Sequence, residues 1–164
     1  MSVKPILLLG NPRLYEVSSP VTPDELPSIQ QAVTDLHDTI SHFKRAFGYG
    51  RAIAAPQIGV MKRLIYMLID EPEVIINPVL ENLSEEMIDL WDDCMSFPDL
   101  MVRVRRHKTC TISFRDLEWQ EVRWELSDDL SELLQHEYDH LDGILATQRA
   151  IDGRGFALRG EVKR

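Results

Sequence analysis

The chain has 164 residues, a formal net charge of −9 and 44% hydrophobic residues. That length supports one domain with its own core, and the acidic balance argues against DNA or other nucleic acid as a general partner. No apolar run reaches the ~18 residues of a membrane span, and the opening Met1-Ser2-Val3-Lys4-Pro5 has no secretory pattern, so a cytoplasmic location without membrane attachment is expected.

Ile6 to Leu9 form a short apolar segment, followed by a turn at Gly10-Asn11-Pro12 and an extended piece held by Pro20. Leu26, Ile29, Val33, Leu36, Ile40, Phe43 and Phe47 recur at spacings of three and four, which predicts a long helix stopped by Gly48. His37 and His42 fall on its solvent side. Small residues then crowd Gly50 to Val60, where backbone can approach closely; Gln57 adds a neutral amide donor suited to a developing oxyanion. Residues 63–69, 73–81, 101–107, 109–116 and 120–126 read as strands. Cys110 lies in one of them as a small buried hydrophobe, and in a reducing compartment neither it nor Cys94 is expected in a disulfide. Ile151, Phe156 and Leu158 are candidate anchors for the C-terminal segment. The pattern predicts an α+β fold with mainly antiparallel sheets packed around a late helix, and one long helix in the N-terminal half.

The late helix carries Gln135-His136-Glu137-Tyr138-Asp139-His140. Ser127, Asp128 and Asp129 supply its N-cap and first turn, and Gly143 stops it. His136 and His140, four apart, share one face and can chelate one metal while Glu137 handles protons beside it. Asp139 is a candidate to orient a ligand imidazole. A catalytic metal usually takes a third protein ligand and keeps one position open. Cys94, in Trp91-Asp92-Asp93-Cys94-Met95-Ser96, offers a thiolate. From the residues alone, two surface histidines and a buried structural cysteine stand as the competing reading.

Three separated motifs resemble the peptide deformylase family. They are Gly50-Arg51-Ala52-Ile53-Ala54-Ala55-Pro56-Gln57, Asp92-Asp93-Cys94-Met95-Ser96, and Gln135 through His140. The opening Ile6 to Val21 is similar to the family's start, and Ile75-Ile76-Asn77-Pro78 to its Asn-Pro turn. The resemblance covers nearly the whole chain and implies one catalytic domain over 1–164. It implies one divalent metal ion on Cys94, His136 and His140, with Fe2+ the usual native ion and Zn2+, Ni2+ or Co2+ able to replace it. Glu137 would act as general base and acid in removing the N-formyl group from formyl-methionyl nascent peptides, with Gln57 and the Met95 N–H holding the oxyanion. Arg106 would pair with Asp92 and brace the second motif. Gly50, Arg51, Ala52, Asp93, Glu132 and Leu133 would meet the N-formylated peptide, and work on nascent chains implies transient contact with the ribosome.

The chain departs from the family at named places. Ala52 and Asp93 stand where the family has glycine, on segments that pair with the substrate backbone. Arg51 and Glu132 stand where apolar groups line the pocket for the methionine side chain; Glu132 shares the face of His136 and His140 on helical spacing. An alternative follows, in which the altered pocket serves a different N-formyl or N-acyl substrate. A non-catalytic binding protein fits less well, because Cys94, His136, His140, Glu137 and Gln57 are all present together.

Overall fold

The computed structural model describes residues 2–162. Its long helix, α1 (Leu26–Phe47), has a proline in its first turn, where the missing N–H leaves no helical bond broken. Ile29, Leu36, Ile40 and Phe43 of the apolar stripe are buried in one cluster with Ile53, Leu64, Tyr66 and Ile76. Gly48, at φ 80°, ends the helix in the left-handed conformation and bonds Lys44 O. The last stripe residue is not core: Phe47 is 51% exposed and stacks on Phe43 with ring centroids 4.3 Å apart. His37 and His42 are exposed, as their spacing predicts.

The strands, in chain order, are β1 (Ala52–Ala54), β2 (Leu64–Leu68), β3 (Pro72–Glu81), β4 (Met87–Asp92), β5 (Leu100–His107), β6 (Thr109–Arg115), β7 (Glu121–Ser127) and β8 (Phe156–Leu158). They form a five-stranded sheet, β1-β2-β3-β6-β7, and a three-stranded sheet, β4-β5-β8. Every pairing between these strands is antiparallel. This is the α+β architecture expected. Three strands carry no sequence signal. β1 is short and buried throughout, so it shows no alternation. β4 pairs with β5 along its whole length yet has one buried residue, and β8 has three residues in all. Asn77-Pro78 is not a turn: Asn77 (φ 49°) sits in a bulge of β3, and its side chain bonds both the N–H and the carbonyl of Val21. Ile151, Phe156 and Leu158 are 39%, 42% and 65% exposed, so backbone pairing with β5, not apolar anchoring, holds β8.

The late helix, α2 (Asp128–Leu141), packs on the five-stranded sheet: Leu133, Leu134 and Leu141 join Ile65, Ile75, Ile112 and Phe114. Ser127 occupies the N-cap position, but its side chain makes no capping bond. The helix start is tied to the β5–β6 connection instead. Asp128 N donates to Lys108 O, while Ser131 Oγ and Gln135 Nε2 both donate to His107 O. Cys110 is buried and free beside Ser131, as expected. No helix among the described residues is long and apolar enough to cross a membrane.

Gly143 turns the chain after α2 at φ 71°, and a Cβ there would lie 2.4 Å from the Tyr15 carbonyl oxygen. Backbone cannot yield as a flexible side chain would. Gly143→Ala is therefore expected to lower stability by ~2–4 kcal/mol, from left-handed strain plus overlap. Gly153→Ala, where nothing among the described residues lies within 4 Å, should stay within ~0.5 kcal/mol. Urea midpoints of the two variants check the pair.

Candidate metal centre

α2 presents His136 and His140 on one face, with ring centroids 5.0 Å apart. The loop after β4 brings Cys94 to them, its Sγ 3.3 Å from His140 Nε2. One ligand atom from each of the three lies within 4.8 Å of the others, and all three residues are buried. That spacing suits a single ion, and thiolate with two imidazoles is a donor set for borderline or soft divalent metals. The Ser96 N–H and the Gln57 amide both reach the sulfur, at 3.4 and 3.5 Å.

A buried ionic chain supports this trio. Asp92 Oδ2 is 2.9 Å from His136 Nδ1 and accepts a second bond from Arg106 Nη2 at 2.9 Å. A carboxylate on Nδ1 turns the other ring nitrogen, Nε2, toward the metal position. Arg106 continues to Asp139 at 3.0 Å, and Asp139 to Arg149 at 2.8 Å. Asp139 thus does not orient an imidazole, as its place next to His140 suggested. Helix neighbours diverge, and its carboxylate turns to the two arginines while Asp92 takes the imidazole.

Burial alone would raise the Asp92 carboxyl, but His136 and Arg106 outweigh it and hold it down at about 2. Burial pulls the His136 imidazole down, and Asp92 more than reverses this, leaving it well above the usual range. A metal held by His136 would take the place of that extra proton. His140 goes the other way: burial, then the neighbouring His136, hold it well below the usual range, so its ring is neutral and able to ligate. Glu137 is pushed up to about 7 by burial, with its Oε2 shut from solvent and without a partner among the described residues. A carboxyl that titrates near neutrality can both take and give a proton at the working pH.

Gln57 sits in a tight turn at residues 55–58 directly after β1. Its Oε1 accepts the Ala54 N–H at 2.9 Å, which fixes the amide with its N–H side toward Ser96 Oγ, at 3.1 Å, and the sulfur. The Met95 N–H has no protein acceptor among the described residues. Gln57, Met95, His136 and Glu137 line a cavity of about 840 Å³, together with Gly50, Arg51, Ala52, Asp93, Glu132 and Leu133. Cys94 lines it too, so of the site residues expected from the sequence only His140, held behind Cys94 and His136, is not in its wall. β1 and β4, each at the edge of its sheet, both contribute to its walls. Within it, Arg51 Nη2 pairs with Glu132 Oε1 at 2.5 Å; the Glu132 side chain is 8% exposed and that of Arg51 44%. Arg159 and Tyr49 also line the cavity, and nothing in their sequence spacing points there. The bond of Asp92 to His136 has no sequence signal beyond the place of Asp92 two residues before Cys94.

A family model described as polypeptide deformylase matches residues 3–154. The chain belongs to the polypeptide deformylase family. It is 42% identical over 151 residues to a peptide deformylase of Parafrankia sp. (strain EAN1pec), covering 91% of this chain and 79% of that one. Peptide deformylase 1 of Prochlorococcus marinus (strain MIT 9313) is 33% identical, with 99% and 88% covered. Among solved structures, the Thermotoga maritima peptide deformylase superposes with a TM-score of 0.85 at 27% identity, over 93% of this chain and 100% of that one. The Acinetobacter baumannii class I type b enzyme bound to Met-Ala-Ser gives 0.83 at 28% identity, over 91% and 99%.

The deformylase-family site rests on Arg106, which is 4% exposed. Arg106→Leu removes the cation between two buried carboxylates and should cost ~3–5 kcal/mol. It also frees Asp92 from its brace, so zinc affinity should fall by ~10–100-fold. Chemical denaturation and a chelator-competition titration with zinc measure the two effects.

Proposed function

We propose that this chain is a metal-dependent hydrolase that removes the N-formyl group from formyl-methionyl nascent peptides, with residues 1–164 as one catalytic domain. The observation that carries the reading is the buried trio Cys94, His136 and His140, its ligand atoms within 4.8 Å of one another, with Cys94, His136 and Glu137 lining a peptide-sized cavity. These residues fit a metal: they are convergent and buried, His140 is neutral, and their donor types suit Fe2+, Zn2+, Ni2+ or Co2+ better than Mg2+ or Ca2+. The resident ion in this reading is Fe2+. Bound there, the ion supplies Lewis acidity and lowers the pKa of a water toward neutrality.

The chain's own residues do the rest. Glu137 takes the proton of the attacking water and delivers it to the departing amine, which a carboxyl titrating near 7 can do in both directions. The Gln57 amide and the Met95 N–H stabilise the formyl oxygen as charge gathers on it, each such donor being worth ~2.7–4 kcal/mol where similar donors have been deleted. The unpaired edges of β1 and β4 receive the peptide as an extended strand, with Gly50, Ala52 and Asp93 along its backbone. Leu133 and the paired Arg51 and Glu132 face its first side chain. Because Arg51 and Glu132 compensate each other, the pocket carries no isolated charge there, and a different acyl substrate is not favoured over formyl-methionine. Formyl-methionyl chains emerge at the ribosome, so the work is cytoplasmic and involves transient contact with it.

Glu137→Gln should keep its metal and lose ~10²–10⁴-fold in kcat on formyl-Met-Ala-Ser, since the amide matches the carboxylate in size but accepts no proton. Wild-type turnover in the metal-loaded variant would remove Glu137 from this role. Cys94→Ala should lose most of its metal by elemental analysis, because two imidazoles alone hold a divalent ion poorly. A full complement in that variant would refute the ligand assignment.

A further inference from the structure

The rim of the cavity holds a cluster that the chemistry above does not use. Arg159 follows β8 and returns the C-terminal segment to the cleft, where it is fixed from several sides. Its backbone N–H donates to Asp99 O at 2.9 Å, its Nε to Pro98 O at 2.9 Å, and its Nη1 to Asp93 Oδ2 at 3.0 Å. The guanidinium lies over the Tyr49 ring, 3.8 Å from its centroid. Tyr49 OH ends on the same Pro98 carbonyl, at 3.0 Å. One arginine thus clips two walls of the cleft together: the segment leading into β1, which holds Tyr49 and Gly50, and the loop that carries Asp93 and Cys94. A side chain held by stacking and two hydrogen bonds, with its backbone N–H also engaged, has little freedom left to lose.

Asp93 is the residue that needs this partner. Its side chain is 34% exposed and that of Arg159 26%, so the pair sits at the mouth, where solvent and substrate both reach it. It adjoins Cys94, at the end of β4. A peptide extended between β1 and β4 passes these residues after its first side chain. With Arg159 in place the mouth presents a compensated pair. Without it, an uncovered carboxylate would favour cationic peptides and repel anionic ones.

We propose that Arg159 is a positioning residue: by holding and neutralising Asp93 against Tyr49, it sets the charge preference of the outer cleft for the peptide beyond its first residue. The proposal rests on the deformylase reading of the cleft. Its test is the ratio of kcat/KM for formyl-Met-Lys-Lys over formyl-Met-Asp-Asp, measured with metal-loaded protein at fixed salt. The field of the whole acidic protein is common to all variants and cancels in the comparison. Arg159→Met should raise the ratio about tenfold and Asp93→Asn should lower it about tenfold, both through KM. The double variant should return within about threefold of wild type, the signature of a pair acting together. Ratios that stay within about twofold of wild type in both single variants, or an equal loss on both substrates, would overturn the proposal and leave Arg159 a structural clip. If Arg159→Met does not fold, Asp93→Asn alone decides by the sign of its shift. The same ratio, read as the Kd of Met-Lys-Lys over that of Met-Asp-Asp on the zinc-loaded protein, needs no turnover and should shift by the same factors in the opposite sense. A wild type that binds with this pattern but hydrolyses no formyl-peptide would refute the deformylase reading and leave the charge assignment standing.

Discussion

The ion chain from His136 through Asp92 and Arg106 to Asp139 is the interaction on which the site depends. Its members come from three elements that no continuous apolar core would align to hydrogen-bonding tolerance: the end of β4, the end of β5 and the face of α2. Apolar packing is non-directional and sets how close these elements lie. The fork of one guanidinium, with a nitrogen toward each carboxylate, sets their angle. Asp92 is two residues from Cys94, so the bond that aims the imidazole also locates the thiolate. A buried ion chain of this kind is weak evidence for net stability, since desolvation offsets much of the attraction. Its contribution here is geometric.

Burial does most of the electrostatic work, and it acts in opposite directions on adjacent groups. His136 and His140 share a helix face and the same dry surroundings. Only His136 has a carboxylate on its far nitrogen, and that one bond separates a ring that binds a proton firmly from one that has released it. Glu137 lies one residue along and has no such partner among the described residues, so burial outweighs the opposing pull of His136 and the arginines and brings its titration near neutrality. Three different proton affinities, high at His136, near neutral at Glu137 and low at His140, arise on one helical turn from what each side chain touches beyond the helix.

Much of this was legible in the sequence because it is written in short-range patterns. The 3.6-residue stripe of α1 and the His136–His140 spacing report helix faces directly. The strand around Val122 shows two-residue alternation because one face is more buried than the other. What was unreadable depends on distant partners. β1 and β8 are strands only because β2 and β5 give them ladder bonds, and three residues carry no period. Asn77 is an asparagine of a bulge, tied to Val21 across 56 positions. Ser127 has the chemistry of a cap and does not cap, since the β5–β6 connection already anchors the helix start. Arg159 is one basic residue in a charged segment, and its stacking on Tyr49 has no local trace.

The two unpaired strand edges have a further consequence. An exposed edge ordinarily invites a second copy of the protein to add itself, and most proteins blunt such edges. Here β1 and β4 line a single cavity, with Cys94 and His136 of the metal trio in its wall and the stacked Tyr49 and Arg159 lining it too. A formyl-peptide laid along these edges as an extended strand brings its formylated tip to the trio. A loop of a folded protein would have to enter doubled over, and an internal segment has no end to offer. The same hydrogen-bonding edges that would elsewhere promote aggregation become a filter for free, unfolded N-termini. The window for processing is then set by the client: it closes when the new chain's first residues are drawn into a fold of their own.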